Sequence, residues 1–370
     1  MIFQFDQDVK VPIKNFKNKP SVVVLLPITR TSSKARRNWA KILEILKYSE
    51  VSSLIILDKT INEEGTSYFS EHFKFEHINL YIVRRPPYEP IYDSQGYISL
   101  DNGLWILQLH DDDEWDGALK VPNDAQELEL FSTNFYFLGG SEGKNVEWEN
   151  SPPARINFTL IPSIVWNKFV EFIDGQGGHV AGSVDSTLNL VSRLICKHHH
   201  LSTFHYKYDN RHWQNRQKAS KNLSKLAKQD GWLRLASVEI QLLNRNIDNL
   251  VALRFFENLI PKNKIEKATL NSLKNFQPTL KRRLLTPIRY QIFCTLVILV
   301  DLICSTKKIS CCERFQSLIK ARIALDLLIL KSWKIKNKIE LLELIGEIKK
   351  SQDFPLLTTR FSFWEASLKP

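Results

Sequence analysis

A group of carboxylates at the end of an apolar run is the part of the sequence most suggestive of chemistry. The stretch LWILQLHDDDEWDG, Leu104 to Gly117, passes from a strand-like segment directly into Asp111, Asp112, Asp113 and a glutamate. Neighbouring carboxylates repel one another and lose hydration on burial, so a cation or a proton must compensate them. Mg²⁺ and Mn²⁺ are the usual compensators, with water and phosphate completing the coordination. An acidic surface loop is the alternative interpretation.

The elements that would position these acids alternate between strand and helix. A helix capped by Ser32 or Ser33 follows the first strand, and the order of elements predicts an open, mostly parallel α/β sheet. The predicted strands are Ser21–Ile28, Ser52–Asp58, Asn79–Pro87 and Leu104–His110. Ligands of such sheets bind beyond the carboxyl ends of the strands. We therefore expect one edge to collect the side chains that follow those ends, namely Thr29, Asp58, Arg84, Arg85 and the acidic cluster.

The chain changes character at about residue 213. Residues 1–213 hold 22 basic and 27 acidic side chains, whereas residues 214–370 hold 29 and 13. The balances of −5 and +16 give the net charge of +11. Between 120 and 213 the pattern is mixed, with RINFTLIPSIVW read as strand and DSTLNLVSRLICKHH as helix; from 214 the apolar spacing is helical. The sequence predicts two domains, 1–213 and 214–370.

The composition is that of a soluble globular protein, with 43% hydrophobic and 25% charged residues. The amino terminus lacks the pattern of a secretory signal, and the five cysteines have neither zinc-site nor disulfide-framework spacing. We expect reduced thiols and a cytoplasmic location. Nucleic-acid binding is not expected, because no nucleic-acid-binding module or basic–aromatic pattern is found.

One basic stretch ends in an apolar run. KRRLLTPIRYQIFCTLVILVDLIC, from Lys281 to Cys304, is typical of a segment at a membrane interface, which would place the protein at the inner face of the cell membrane. A buried core helix with a basic flank is the alternative. The uninterrupted apolar part, Ile292–Val300, is too short to span a bilayer, which takes about 20 residues.

Three segments together resemble the family 2 type of glycosyltransferase with a GT-A fold. They are LPITRTSSKARRNWAKILEIL, SSLIILDKT and DNGLWILQLHDDDEW, and the likeness covers roughly residues 20–213. The chain is a divergent member by this resemblance, since Lys–Thr follows Asp58 where Asp–Gly–Ser is common. The resemblance implies a GT-A, Rossmann-like sheet flanked by helices, here followed by an all-α region.

The resemblance also implies roles for individual residues. A nucleotide-sugar, most simply a UDP-sugar, would contact Pro27, Thr29, Arg30, Asp58, Arg84, Asn102, Asp111 and Asp112. Asp58 would bind the nucleotide base. Mn²⁺ or Mg²⁺ on the donor diphosphate would be held by Asp111 and Asp113, and His212 in the segment FHYKYDNRHW is a further candidate ligand.

A base is needed beside the acceptor hydroxyl in an inverting transfer. The resemblance assigns it to Asp185, which follows the glycine-rich turn DGQGGHVAGS and opens a predicted helix. A purely structural role as the helix N-cap is the alternative, and both roles can coexist. The tract His198–His200 looks like a metal site, but adjacent histidines in a helix point in different directions, so we do not assign one there.

The predicted function is therefore a metal-dependent, inverting glycosyltransferase that extends a surface polysaccharide or a glycolipid. A nucleotidyl- or phosphotransferase using the same carboxylates is one alternative. A non-catalytic GT-A scaffold that binds through its basic helices is the other.

Overall fold

The computed structural model describes most of the chain and divides it into two compact units. The described residues are 1–5, 11–13, 21–29, 31–85, 98–111, 113–138, 159–175, 184–209, 247–276, 278–307, 312–351 and 355–369. The first unit comprises Met1–Asp174 and Leu188–Lys218, and the second comprises Gly175–Thr187 and Ala219–Pro370. The predicted assignment of separate roles to 1–213 and 214–370 stays a prediction.

The first unit is built on a nine-stranded mixed sheet in the order β1-β5-β4-β3-β7-β10-β9-β11-β8, and β2 pairs with β6 in a small second sheet. The strands are β1 (Ile2–Phe5), β2 (Val11–Ile13), β3 (Ser21–Ile28), β4 (Val51–Asp58), β5 (Asn79–Arg84), β6 (Ile98–Leu100), β7 (Leu104–Gln108), β8 (Glu114–Gly117), β9 (Glu129–Leu138), β10 (Thr159–Pro162) and β11 (Lys197–Asp209).

The half of the sheet formed by β1, β5, β4, β3 and β7 is parallel. The strands β3, β4 and β5 are mostly apolar and buried, as inner strands of a parallel sheet must be, and every residue of β7 is buried. β10 then pairs antiparallel with β7 and with β9. The carboxyl ends of β3, β4, β5 and β7 consequently lie along one edge, as predicted from the sequence.

Two helices cover the parallel strands, and two more follow in the chain. They are α1 (Ser33–Leu46), α2 (Glu64–His72), α3 (Ser163–Gly175) and α4 (Val184–Ile195). Ser32 caps α1, because its hydroxyl accepts a bond of 3.2 Å from the Ala35 amide. Trp39, Ile42 and Leu46 on the inner face of α1 are buried against the sheet. The cap and the apolar stripe are those predicted.

The second unit is helical throughout its described part. Its helices are α5 (247–255), α6 (Lys262–Phe276), α7 (Leu280–Lys307), α8 (Cys312–Lys331), α9 (Lys338–Ser351) and α10 (Pro355–Leu368). The predicted fold class, a mostly parallel α/β sheet flanked by helices and followed by an all-α region, is confirmed. Two local predictions were wrong: Ser163–Trp166 lies in α3 rather than in a strand, and His198–His200 lies in β11 rather than in a helix.

The structure also corrects the sequence-based view of the basic apolar stretch. Within Leu280–Ile303 of α7, an 18-residue window has a mean hydropathy of 1.5, so by length and composition alone this helix could cross a membrane. The earlier exclusion considered only the uninterrupted run and missed the apolar residues that precede it. Only 6% of this window is buried, so the interpretation as a core helix was wrong.

Candidate functional site

The Asp58 carboxylate closes the loop that follows β4. Its Oδ1 accepts bonds from the Thr60 amide (2.9 Å) and hydroxyl (2.6 Å), and its Oδ2 accepts bonds from the Thr66 amide (2.6 Å) and hydroxyl (2.7 Å). Four bonds match the acceptor capacity of a carboxylate. Thr66 lies in the first turn of α2, so the negative charge also lies at the positive end of a helix dipole. Asp58 is 3% exposed and stabilises this loop.

A glycine lets α2 approach Asp58 closely. A Cβ atom at Gly65 would lie 2.8 Å from Cδ1 of Ile28 and 3.2 Å from Cγ of Asp58. A larger residue would push the helix away from the end of β4. The predicted contact between Asp58 and a nucleotide base stays a prediction, and it would require a change in these four bonds.

The acidic turn lies beside the end of β3. Oδ2 of Asp111 accepts bonds from the Thr29 amide (2.8 Å) and hydroxyl (3.3 Å). Asp111 is 3% exposed, whereas Thr29 is on the surface. The structure therefore brings together two of the predicted binding residues, which are 82 positions apart in the sequence.

Asn38 of α1 holds the backbone of this turn. Its buried side-chain amide donates to the carbonyl of Asp111 (3.2 Å) and to the carbonyl of Asp113 (2.5 Å). These bonds satisfy backbone acceptors that have left the sheet ladder. They fix the direction in which the side chains of the turn leave the backbone. The sequence reasoning missed Asn38; a polar residue beside Trp39 in the apolar stripe of α1 was the available signal.

Asp113 belongs to a buried hydrogen-bonded network. The hydroxyl of Tyr206, on β11, donates to Oδ2 of Asp113. Nδ1 of His110 lies 3.7 Å from the same oxygen, and Nε2 of His110 lies 3.2 Å from Nε2 of Gln108. Asp113 is 1% exposed and Tyr206 is fully buried. A charge this deeply buried is costly unless it is paired or bonded, so the network is what allows an acid at this position.

The other acids of the cluster face solvent. Glu114 lies 3.9 Å from the Lys41 ammonium, and Asp116 bonds with Lys207 at 2.5 Å. Among the described acids of this segment, the alternative interpretation as a surface loop therefore fits Glu114 and Asp116 but not Asp111 and Asp113. The tryptophan between Glu114 and Asp116, Trp115, is buried in the core rather than available to a sugar.

Cations collect at the same edge of the sheet. The predicted ligand-binding residue Arg84 extends outward and pairs with Glu63 at 3.0 Å. Its neighbour Arg85 is buried, and the Arg85 amide bonds to the Asp58 carbonyl at 3.0 Å. Lys59, which follows β4 directly, is also buried. Sequence reasoning did not single out Lys59. The sequence feature that could have indicated it is a basic residue directly after the end of a predicted strand.

Two predicted binding residues do not lie at the edge surface. Asn102 lies in the turn before β7, so the whole strand separates it from Asp111. Its predicted contact with the donor stays a prediction, and Asn102 lies at the opposite end of β7 from the acidic turn. Pro27 is buried within β3 opposite Leu57. The last residue pair between β3 and β7 is Leu25–Gln108, and Pro27 lies beyond it. The missing N–H of this proline therefore removes no hydrogen bond between β3 and β7.

Other predicted residues cannot be evaluated. Arg30, Asp112 and His212 lie outside the residues that the structure describes. Asp185 lies in the first turn of α4, but its side chain is not described, so the choice between base and N-cap stays open.

The histidine tract on β11 is engaged by its surroundings. Nε2 of His199 lies 3.0 Å from the Glu129 carboxylate, and its ring stacks on Phe131 at 5.4 Å. The amide of Gln126 is the main cause, with His199, of the lowered pKa of Glu129. These contacts account for the side chain of His199, and the absence of a metal at this tract stays a prediction.

The acidic turn meets the chemical requirements of a divalent cation only in part. Its oxygen donors are the type that Mg²⁺ and Mn²⁺ prefer. In the described part of the chain, however, no three His, Cys, Asp or Glu side chains cluster closely enough to hold a metal ion. Asp111 and Asp113 bond to different elements, Thr29 after β3 and Tyr206 on β11. A metal site here requires either Asp112 or a rearrangement of these bonds.

No protein-family model and no curated protein matches the chain. Solved structures that match include S. aureus TarS 1-349 in complex with UDP, with a TM-score of 0.40 and 7% identity over 90% of each chain. The crystal structure of TarS 1-349 alone has a TM-score of 0.36 and 11% identity over 69% of this chain and 89% of that one. GalNAc-T7 with UDP, GalNAc and Mn²⁺ has a TM-score of 0.36 and 9% identity over 52% and 44%.

These TM-scores are low, so the fold assignment rests on the strand order and pairing of this chain itself. The mostly parallel sheet with flanking helices and the all-α second part make up the fold that the resemblance to GT-A glycosyltransferases implied.

Proposed function

We propose that this chain is a divergent glycosyltransferase that moves a sugar from a nucleotide-sugar donor to a glycan or lipid-linked acceptor. The observation that carries the proposal is the buried acidic turn Asp111–Asp113 at the carboxyl edge of the parallel strands. Three elements hold it, through Thr29, Asn38 and Tyr206. Open α/β sheets bind ligands at this edge. Buried ionisable groups held at such an edge are candidates for a functional site.

The diphosphate of the donor would lie at the edge where the parallel strands end. Lys59 and Arg85 are buried at the ends of β4 and β5, and Thr29 is exposed at the end of β3. Cationic and N–H groups of this kind stabilise the negative charge that develops on a departing nucleoside diphosphate. All the predicted donor-binding roles remain proposals, namely those of Pro27, Thr29, Arg30, Asp58, Arg84, Asn102, Asp111 and Asp112.

We also assign the proposed Mn²⁺ or Mg²⁺ to this turn. Asp111 and Asp113 are the proposed ligands, together with Asp112 or His212, and a bound cation would neutralise charge on the leaving diphosphate. Asn38 and Tyr206 have a separate task, which is to keep the turn and the Asp113 carboxylate in place.

The proposed stereochemistry is inversion. The acceptor oxygen forms a bond to the anomeric carbon while the bond from that carbon to the diphosphate oxygen breaks, and the hydroxyl proton passes to a base. Asp185 is the proposed base, with Arg193 further along the same helix. The proposed setting is the cytoplasmic synthesis of a surface polysaccharide or glycolipid.

Product analysis tests the proposal directly. Purified protein is incubated with UDP-GlcNAc or UDP-glucose, Mn²⁺ and a panel of glycan and lipid-linked acceptors, and free UDP and pyrophosphate are both measured. The first two donors are chosen because TarS was crystallised with UDP and with UDP-GlcNAc. Released UDP with a glycosylated product supports the proposal. Pyrophosphate or a phosphorylated acceptor would instead favour the nucleotidyl- or phosphotransferase.

A non-catalytic role makes a different prediction. If the fold serves only as a scaffold, neither product forms with any donor, and replacing all three aspartates of the turn leaves function in cells unchanged. That result would overturn the proposal.

A further inference from the structure

The outward face of α7 is apolar although it is exposed. Leu284 is 67% exposed, Ile288 56%, Ile298 67% and Leu302 63%. The same face continues through further exposed residues, which are Leu285, Ile292, Leu296, Leu299 and Ile303. Contiguous apolar surface of this kind is rare on soluble proteins and marks an interaction site. At 1.5 Å per residue, the 18-residue apolar window is about 27 Å long.

The other face of α7 packs on α8. The guanidinium of Arg322 lies 5.5 Å from the ring centre of Phe293, and the side-chain amide of Gln316 donates to Asp301. The less exposed positions of α7 include Tyr290, Phe293 and Val297, which repeat at helical spacing. The helix therefore has an inner stripe against α8, and its apolar outer face requires a separate explanation.

Two threonine hydroxyl groups on α7 are satisfied within the helix. The Thr286 hydroxyl donates to the Arg282 carbonyl at 2.6 Å, and the Thr295 hydroxyl donates to the Gln291 carbonyl at 3.0 Å. Such bonds lower the cost of moving hydroxyl groups out of water. The outer face can thus enter an apolar environment without leaving these donors unpaired.

A basic and aromatic group lies at the amino-terminal end of α7. Lys281 and Arg282 are exposed, and Arg283 lies 6.0 Å from the ring centre of Trp333. Lys334 lies 4.9 Å from the same ring, and Trp333 is 47% exposed. Tryptophan and basic side chains are the residues that favour the headgroup region of a bilayer.

We propose that α7 binds the surface of an anionic lipid bilayer, with its outer face in the acyl boundary and its basic end among the headgroups. The helix lies parallel to the membrane plane. A spanning orientation would take α8 into the hydrocarbon, together with the buried charges of Arg322 and Asp326. Amphipathic helices that lie in the interface bind in this way.

Charge complementarity favours lipid over a second copy of the chain. Residues 214–370 carry a balance of +16, so two copies would bring like charges together. An anionic membrane attracts the same residues. An anionic bilayer can therefore contact both the apolar face and the basic end of α7. This inference does not rest on the proposed transferase activity.

Vesicle flotation of the full chain tests the inference. The protein is mixed with vesicles of phosphatidylcholine alone or of phosphatidylcholine with phosphatidylglycerol, and the floating fraction is measured at low and high salt. We expect strong flotation with the anionic vesicles, weaker flotation with the neutral ones, and partial release by salt.

Two variants separate the apolar and the electrostatic contributions. The triple variant Ile288→Gln, Ile298→Gln, Leu302→Gln should bind at least about 100-fold more weakly, because burial of those side chains is lost. The double variant Lys281→Gln, Arg282→Gln should bind anionic vesicles about 30-fold more weakly. All five residues are exposed, so both variants should fold normally.

A matched control changes equally exposed apolar residues elsewhere. The variant Ile61→Gln, Leu270→Gln, Ile339→Gln removes side chains that are 85%, 52% and 66% exposed. It should bind vesicles as the unaltered chain does. Equal loss in the control and the α7 triple variant would overturn the inference.

Sedimentation without lipid tests the competing occupant. A stable dimer that the α7 triple variant converts to monomer, with no flotation in either vesicle type, would assign the face to a second copy. Folded monomer that floats with neither vesicle type would also overturn the proposal.

Discussion

Two groups of carboxylates lie at the same edge of the sheet, and they are built in opposite ways. Asp58 takes its four bonds from Thr60 and Thr66, which are only two and eight residues later in the chain. The acidic turn takes its bonds from Asn38, Thr29 and Tyr206, which lie 73 to 93 residues away. The bonds of Asp58 close a local loop. The bonds of the acidic turn form only where the end of β3, helix α1 and strand β11 come together.

We propose that this difference distinguishes a carboxylate that mainly stabilises its loop from carboxylates that bind the donor. The four bonds to Asp58 can form as soon as the loop forms. They compensate the cost of burying that carboxylate without any ligand. The acids of the turn accept bonds from three separate elements, which fix the orientation of the turn. A loop does not need bonds to three elements in order to be stable. We therefore expect changes at Asp58 to affect folding most, and changes at the turn to affect ligand binding and turnover most.

The largest expected effect is on turnover, from Asp113→Asn. The amide keeps the shape and an acceptor for Tyr206 but removes the charge. We expect sugar transfer to fall about 10²–10³-fold, the usual cost of losing one charge-stabilising group in an active site. Initial rates of UDP release measure it.

The matched control for this change is Glu114→Gln. It makes the same chemical change at the adjacent position, where the acid is on the outside and 3.9 Å from Lys41. Its turnover should stay near that of the unaltered chain. Equal losses in both variants would mean that general acidity of the loop, rather than the buried turn, supports activity.

Asp58→Ala should have the largest effect on stability. It leaves the amides and hydroxyls of Thr60 and Thr66 without their acceptor in a buried site, which costs about 3 kcal/mol of unfolding free energy. Urea unfolding measures the loss. UDP affinity of the folded variant, measured by calorimetry in the cold, should change little if Asp58 only closes the loop. A large loss of UDP affinity with unchanged stability would instead support the predicted contact between Asp58 and the nucleotide base.

Asn38→Ala should produce an intermediate effect on both properties. The variant leaves the carbonyls of Asp111 and Asp113 without donors, at a cost of about 2 kcal/mol in stability. Because the turn is then free to reorient, we expect the Kd for donor to rise about tenfold, an effect worth about 1.4 kcal/mol. A Kd equal to that of the unaltered chain would show that the turn is held without Asn38.

The smallest expected effect is that of Tyr206→Phe. The change removes a single hydroxyl from Asp113 and keeps the ring in the core, so stability should fall by about 1 kcal/mol. Turnover should fall only a few-fold, since the charge of Asp113 remains. A loss as large as that of Asp113→Asn would identify the tyrosine hydroxyl itself as part of the reaction.

Much of the fold could be predicted from the sequence because its signals are local. The apolar segments around Val24 and Ile55 predict buried parallel strands, and Ser32 with the stripe of α1 predicts the first helix. The edge that carries Thr29, Asp58 and the acidic turn followed from the strand order. Ser163–Trp166 was misassigned because a short apolar run has the same composition in a strand and a helix.

The site was less predictable, since its supports are distant in sequence. Nothing near Asn38 or Tyr206 in the chain indicates that either residue bonds to the acidic turn. Asn102 is the opposite case, because it is close to the turn in sequence but lies at the far end of β7, and its predicted contact with the donor stays a prediction. For α7 the sequence left a membrane-interface segment and a core helix both open, because periodicity shows which side of a helix is apolar but not whether that side is covered.

Thermal unfolding with and without donor tests the central claim most directly. The unaltered chain and Asp113→Asn are each heated with UDP or UDP-GlcNAc, in the presence and absence of Mn²⁺. A ligand at 100 times its Kd stabilises the native state by about 2.7 kcal/mol. We predict such a shift for the unaltered chain with Mn²⁺ and none for the variant. Well-folded protein that shows no shift with any nucleoside diphosphate or nucleotide-sugar would contradict the assignment of the acidic turn to donor binding.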